Sequence, residues 1–194
     1  MLGAGNCNDF DLCALASQFT EIHLADLDRE ALEFGVRRAS RPAPSSVILH
    51  APCDLAADRV DLGGAFDIVI SAGLLTQLLL DAADPPAVRR RHLQLLFDLV
   101  RPGGAFVLVT DVVSSASAPA IRERAERDLP DLLARLIEER NFFTGANPAA
   151  IWKQLTEDPE FTARCARIES HDPWLWPVTS SHDYLTWAVT VFKA

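Results

Sequence analysis

The chain has 194 residues, 49% of them hydrophobic and 23% charged, which is the composition of one globular domain with a substantial core, not of a disordered segment. Its formal charge of −9 is spread along the sequence, which disfavours a nucleic-acid partner, since phosphate binding leans on clustered Lys and Arg. No run approaches the roughly twenty apolar residues of a membrane span and no apolar leader is visible, so a cytoplasmic chain with no membrane partner is expected.

Helical and strand patterns alternate along the chain, the pattern of a mostly parallel sheet flanked by helices. Met1-Leu2-Gly3-Ala4-Gly5-Asn6 is a glycine loop. Residues 9–19 carry one apolar helical stripe, with Asp9 or Asn8 suited to cap it. Residues 21–25 are a short strand, and Asp28 caps a helix through about residue 38 with Ala31, Leu32 and Gly35 inward. Residues 41–46 are a loop, and residues 47–51 a strand closed by Pro52-Cys53-Asp54-Leu55. The nearly continuous apolar run 66–71 fits a strand covered on both faces.

Residues 74–80 and 85–100 read as helices, the second tolerating Pro85 and Pro86 in its first turn. Its basic run Arg89-Arg90-Arg91 reads as a solvated face. Arg101-Pro102-Gly103-Gly104 is a turn into a strand over residues 105–113. Residues 120–140 form an amphipathic helix that Pro130 should kink or divide, and Asn147 caps a shorter helix through residue 155. Two β-rich stretches, 161–170 and 184–193, close the chain, joined by the aromatic linker Asp172-Pro173-Trp174-Leu175-Trp176-Pro177. One domain is expected: residues 1–113 as a cofactor-binding half, 114–160 as a helical insertion or lid, and 161–194 as a C-terminal β-hairpin. The four cysteines, Cys7, Cys13, Cys53 and Cys165, have neither CxxC nor Cys/His zinc spacing, so reduced thiols and no metal are expected.

A glycine loop followed by a strand that ends in an acid is a nucleoside-binding pattern. Glycine lets backbone N–H groups approach a ligand, and Asp26 stands where a ribose diol would be held. Two cofactor classes use it. Nicotinamide enzymes also want a third glycine, and here Asn8 occupies that place, which counts against a dinucleotide. The remaining motifs favour the other class. Leu24-Ala25-Asp26-Leu27-Asp28, Cys53-Asp54-Leu55, Phe66-Asp67-Ile68-Val69-Ile70-Ser71 and Leu99-Val100-Arg101-Pro102-Gly103-Gly104-Ala105-Phe106-Val107-Leu108 follow the glycine loop in order. Together they resemble class I S-adenosylmethionine-dependent methyltransferases over residues 2–111.

The resemblance implies a Rossmann-like α/β fold: a doubly wound, mostly parallel sheet with an antiparallel C-terminal strand. It implies S-adenosylmethionine as cofactor, with Gly3, Gly5 and Asn6 around the methionine moiety at a helix N-terminus. Asp26 would accept the ribose hydroxyls, Leu27 and Leu55 would sandwich the adenine, Asp54 or the Cys53 backbone would read its N6 edge, and Ser71 of the fourth-strand motif would be a further cofactor-binding residue. Plainer readings stand beside these: Asp26 as a strand-end cap, Asp54 as a turn residue, Asp9 as a helix cap instead of a water-linked contact to the cofactor amine.

Methyl transfer to an activated sulfonium carbon needs alignment above all, and a base only when the acceptor arrives protonated. The sequence therefore designates no catalytic residue. His171, His182, Asp172 and Tyr184 are candidates near the C-terminal strands, and His171, Trp174 and Trp176 are the candidate substrate contacts. Phe142, Phe143 and Trp152 suit either an acceptor pocket or the core, with Trp152 leaning to core. Asp84-Pro85-Pro86-Ala87 lacks the aromatic residue of DNA-base amino-methyltransferases and opens a helix, so a small-molecule acceptor is expected. A non-catalytic methyltransferase-like binding module and a nicotinamide-dependent oxidoreductase are the competing functions.

Met1-Leu2 is too short for the central strand that should feed the glycine loop, since a strand needs about five residues. The expectation is either a fragment or a protein that has lost its sheet centre; a fragment would bind cofactor poorly, with tight binding restored by an upstream extension.

Overall fold

A computed structural model describes residues 1–39, 46–57, 59–143 and 146–194. The expected loop over 41–46 lies outside the described residues except for Ser46. The described residues hold seven strands and seven α-helices, in the order α1 (Leu12–Gln18), β1 (Ile22–Ala25), α2 (Arg29–Ala39), β2 (Val47–His50), β3 (Phe66–Ala72), α3 (Leu74–Leu79), α4 (Pro85–Leu99), β4 (Val100–Ser114), α5 (Leu129–Glu138), α6 (Pro148–Glu157), α7 (Pro159–Thr162), β5 (Cys165–Ser170), β6 (Trp174–Thr179) and β7 (His182–Lys193).

β1 and β2 pair in parallel, as do β3 and β4. β7 runs antiparallel between β4 on one edge and β5 and β6 on the other. The two parallel pairs are joined through Leu2, which bridges Ala25 of β1 and Ser71 of β3, both in parallel. The order across the sheet is therefore β2-β1-Leu2-β3-β4-β7-β5, with the fold class that the sequence implied.

Period-two alternation sorts this sheet into two faces, because directly paired residues share a face. Val69, Phe106, Leu108, Val189, Val191 and Leu185 are buried in the main core, with Phe97 and Phe161 above them. Phe97 packs edge-on to Phe106 at 5.0 Å and stacks on Phe161 at 5.5 Å. A smaller cluster of Leu12, Ile22, Leu24, Leu32 and Val36 holds α1 and α2 against β1.

Four expectations need correction. Asp11 caps α1, accepting from Ala14 N at 2.9 Å, in place of Asp9 or Asn8. The stretch 120–140 is two 3₁₀ turns (Pro119–Glu123 and Glu126–Asp128) and then α5, which Pro130 starts instead of kinking, because proline is tolerated in a first turn. The aromatic linker contains a strand, β6, whose Pro177 is accommodated because β6 is an edge strand. The basic run is not simply solvated. Arg90 binds Asp158 and Glu160, and Arg89 donates to Gln154 at 2.9 Å, so the run clamps α4 to α6 and α7.

The turn Arg101-Pro102-Gly103-Gly104 is a bulge within β4: Phe66 pairs with Val100 and Ile68 with Ala105. At the other end of β7, Lys193 Nζ donates to Phe97 O at 2.8 Å and Val100 O at 2.7 Å, satisfying carbonyls where α4 ends.

Candidate functional site

The glycine loop is positioned by main-chain bonds. Leu2 N donates to Ile70 O at 2.8 Å, Gly3 N to Ala25 O at 2.9 Å, and Ala25 N to Met1 O at 3.0 Å. Gly3 and Gly5 turn with φ of +67° and +46°, a region costly for a residue with a Cβ. A Cβ at Gly5 would meet no atom within 4 Å, so the space above it is open. Beneath the loop, Gly35 of α2 lies so close that its Cβ would stand 2.4 Å from Asn6 C and O.

Asp26 follows β1 and faces this loop. Its Oδ2 accepts from Gly5 N at 2.8 Å and its Oδ1 from Asp28 N at 2.9 Å. Its main chain is tied to the end of β2, with Asp26 N bonded to His50 O at 3.1 Å and Cys53 N to Asp26 O at 2.9 Å. Gly3, Gly5, Asp26, Leu27 and the Cys53-Asp54 turn thus converge at the carboxyl ends of β1 and β2, where open parallel sheets bind ligands. Leu27 is 65% exposed beside Asp26, an apolar side chain on offer to a ligand. Asn6 is exposed, and its carbonyl accepts from Arg38 at 3.0 Å.

Three named residues sit otherwise. Asp54 is held in its own turn, Oδ1 accepting from Ala56 N at 2.9 Å. Leu55 is 8% exposed and belongs to the main core, where it also borders a separate cavity of about 730 Å³ with Arg91 and His92. Ser71 is fully buried, its Oγ 2.9 Å from His92 Nε2. Ser71 thus bonds towards α4, and Leu55 packs into the main core on that side. The helix that should present its N-terminus begins only at Leu12, six residues after Asn6.

A second cavity, of about 500 Å³, opens on the other face of the sheet beside the glycine loop. Met1, Asp9 and Phe10 form one wall, Ile70, Ala72 and Val109 the floor, and Trp174, Trp176 and Pro177 the far wall. Two of the three candidate substrate contacts are therefore brought together. His171 is not with them: its Nε2 is 2.8 Å from Thr190 Oγ1, and Thr190 lies four residues along β7 from Thr186, the partner of Trp174. That is roughly 13 Å of strand.

Tyr184 pairs with Trp176 and packs edge-on to His182 at 5.0 Å and to Phe143 at 5.9 Å, while Asp172 is exposed. Trp152 is exposed on α6, so it is not a core residue, and Phe142 packs against the core. Among the described residues no cluster of His, Cys, Asp and Glu could hold a metal ion, all four thiols are free, and no helix is long and apolar enough to cross a membrane.

One residue near this cavity escapes sequence reading. Asp111 is the half-buried carboxylate of β4, two residues beyond Val109 on the same face and paired with Thr186, whose hydroxyl donates to Oδ1 at 3.4 Å. Its Oδ2 lies 3.6 Å from where a Cβ on Gly73 would stand. Burial pushes its carboxyl above the usual range, its hydrogen bond with Thr186 pulls the other way, and the charge of Asp9 adds to the rise. The signal available was an acid inside an apolar strand run, Val107 to Val113.

No protein-family model and no curated protein matches the sequence. Solved structures do match. One is a SAM-dependent methyltransferase from Methanosarcina mazei, 17% identical, with a TM-score of 0.57 over 99% of this chain and 89% of that one. Another is the N-methyltransferase NodS from Bradyrhizobium japonicum WM9, 14% identical, with a TM-score of 0.55 over 99% and 82%. A third is an arsenic(III) S-adenosylmethionine methyltransferase from Chlamydomonas reinhardtii, 15% identical, with a TM-score of 0.58 over 100% and 62%. The chain has the class I S-adenosylmethionine-dependent methyltransferase fold.

Proposed function

We propose that the chain transfers a methyl group from S-adenosylmethionine to a small-molecule acceptor. The observation that carries this reading is the bond from Gly5 N to the Asp26 carboxylate, which sets an acid and an open glycine turn side by side at the sheet's carboxyl edge. The residues fit the cofactor. Gly3, Gly5 and Asn6 would hold its methionine end, Asp26 its ribose through the lone pairs its two amide bonds leave free, and Leu27 one face of its adenine. Asp54 would reach the base through its turn, and Leu55 and Ser71 take no part.

The bound cofactor supplies an electrophilic methyl group. The chain's own work is to bind the acceptor, orient its nucleophile and exclude water. The acidic balance supports a small acceptor over a nucleic acid, as does the engagement of Arg89 and Arg90 by α6 and α7. The three methyltransferases that share the fold support the reaction class.

Calorimetric titration with S-adenosylhomocysteine tests this reading. Binding by the native chain, weakened about 10- to 100-fold in Asp26→Ala, is expected, since hydrogen bonds to a charged group contribute about 1.5–3 kcal/mol. Absence of binding, or equal binding by both, overturns it. Binding without any transfer to an extract of small metabolites would instead favour the non-catalytic module.

A further inference from the structure

The 500 Å³ cavity has the size of a small-molecule site and an uneven chemistry. Its floor and far wall are apolar or aromatic: Ile70, Ala72, Val109, Trp174 and Trp176. Its polarity is confined to one end. Asp9 lines the rim next to the glycine loop, and Asp111 continues the row of Val109 on the same face of β4. Across the strands, register aligns Asp111 with Thr186 and Thr186 with Trp174, so carboxylate, hydroxyl and indole form a row on the cavity face.

We infer that this cavity takes the cationic nitrogen of a primary or secondary amine with an apolar body, and that Asp111 accepts the proton which that nitrogen must lose before methylation. The inference rests on the methyl-transfer reading and names the acceptor class of that same site. An amine enters at neutral pH as an ammonium ion, whose nitrogen has no free electron pair. An ammonium ion suits what surrounds it there: Asp9 in the cavity lining, Asp111 two residues beyond the floor residue Val109 on the same face of β4, and the indoles of Trp174 and Trp176 on the far wall.

One N–H bond then breaks, its electron pair staying on nitrogen and its proton forming an O–H bond on Asp111. The freed pair forms the N–CH3 bond as the S–CH3 bond breaks, with the S–CH3 electron pair remaining on sulfur. Asp111 later returns the proton to water, and the product leaves as a methylated ammonium.

A carboxylate can take a proton from an ammonium ion, whereas an alcohol gives up its proton only to a far stronger base. That selects nitrogen over oxygen. Desolvation raises the proton affinity of Asp111, and the charge acting on it is that of Asp9, across from the glycine loop; Thr186 on β7 is its hydrogen-bond partner, and Thr76 on α3 contacts its carbonyl at 3.4 Å. A second carboxylate nearby makes the first a better base and still attracts the cation.

The test uses the full chain and four probe amines (phenethylamine, tryptamine, cyclohexylamine and histamine) against 2-phenylethanol and cyclohexanol. Binding is read by calorimetry with and without S-adenosylhomocysteine, and transfer by labelled methyl incorporation. At least one amine binds and is methylated, and neither alcohol is. Asp111→Asn weakens amine binding at least tenfold, leaves S-adenosylhomocysteine affinity within twofold, and slows transfer about 10²- to 10⁴-fold. Its rate then climbs with pH in step with the free-amine fraction, whereas the native rate levels off, and Asp111→Glu recovers part of the loss.

Native S-adenosylhomocysteine binding with no amine bound, or an Asp111→Asn chain that methylates amines at the native rate, overturns the inference alone. A native chain that binds amines but no S-adenosylhomocysteine overturns the methyl-transfer reading and keeps the recognition half. An Asp111→Asn chain with a native thermal midpoint shows that the losses are not those of unfolding.

Discussion

Gly35→Ala adds one carbon to the middle of α2, in a helix that should welcome alanine by about 0.5–1 kcal/mol. The structure reverses that expectation. The new Cβ would lie 2.4 Å from both the carbonyl carbon and oxygen of Asn6 and 3.0 Å from its Cα, against a normal separation of about 3.5 Å or more. The obstacle is backbone, which has no rotamer to change, so loop or helix must move by about 1 Å. Overpacking of this kind costs about 1–3 kcal/mol, leaving a net loss of about 1–2 kcal/mol after the helix gain. For a chain of this length that lowers the thermal midpoint by about 2–8 °C.

The moved segment is the glycine loop, so S-adenosylhomocysteine affinity should fall at least tenfold alongside. Gly64→Ala is the control: a Cβ there meets nothing within 4 Å and its φ is not positive, so both readouts should stay near native. Scanning calorimetry and titration of the two variants decide the matter. A Gly35→Ala chain indistinguishable from the Gly64→Ala chain would mean that α2 does not press on the loop.

His92 gives a pH prediction. Burial lowers its pKa from 6.5 to about 4. The unfolded chain takes up a proton below pH 6.5 and the folded chain only near 4, so stability is full above 6.5 and falls as acid is added through that window. The drop is about 3 kcal/mol, read from urea midpoints between pH 8 and 4. His92→Gln, which does not titrate, should flatten that part of the profile; an unchanged slope would assign the acid sensitivity elsewhere. Lys193→Met should cost about 1–3 kcal/mol in urea denaturation by stranding the carbonyls of Phe97 and Val100, and a neutral result would show that water replaces the ammonium there.

What the sequence made legible was what periodicity and punctuation govern. The apolar run 66–71 and the helix over 85–100 came out within a residue of β3 and α4, because a buried strand and a proline-started helix leave local marks. The convergence of Gly5 and Asp26 was also legible, since a loop, a helix and a short strand leave the acid little choice of place. The face of the sheet was not. Ser71 points to the α4 side, and only strand register decides that, a non-local property of β3 against Leu2 and β4, while Leu55, in the turn after β2, goes into the main core. Nor was β6 legible, because Pro173 and Pro177 read as loop until an edge position makes them harmless. Asp111 stayed hidden for the same reason: an acid in an apolar run gains meaning only when its neighbours across β7 and β6 are known.

The glycine-loop site of this chain is built mostly from backbone. Leu2 stitches the two parallel pairs together with hydrogen bonds that any side chain could make, and its own side chain vanishes into the main core. Those bonds fix where Gly3 turns, Gly35 fixes how close the loop lies to α2, and one carboxylate, Asp26, ties Gly5 to the end of β1. An open turn at Gly5, a turn at Gly3 packed against Leu74, one acid and one small residue in a helix make up most of the site. The opposite holds for the neighbouring cavity, whose walls are side chains. Trp174, Trp176, Asp9 and Asp111 could each be exchanged without disturbing a main-chain bond. The glycine-loop cleft therefore rests on main-chain bonds and the neighbouring cavity on side chains, so under the proposed function acceptor preference should follow Asp111 and the two tryptophans, not the glycine loop.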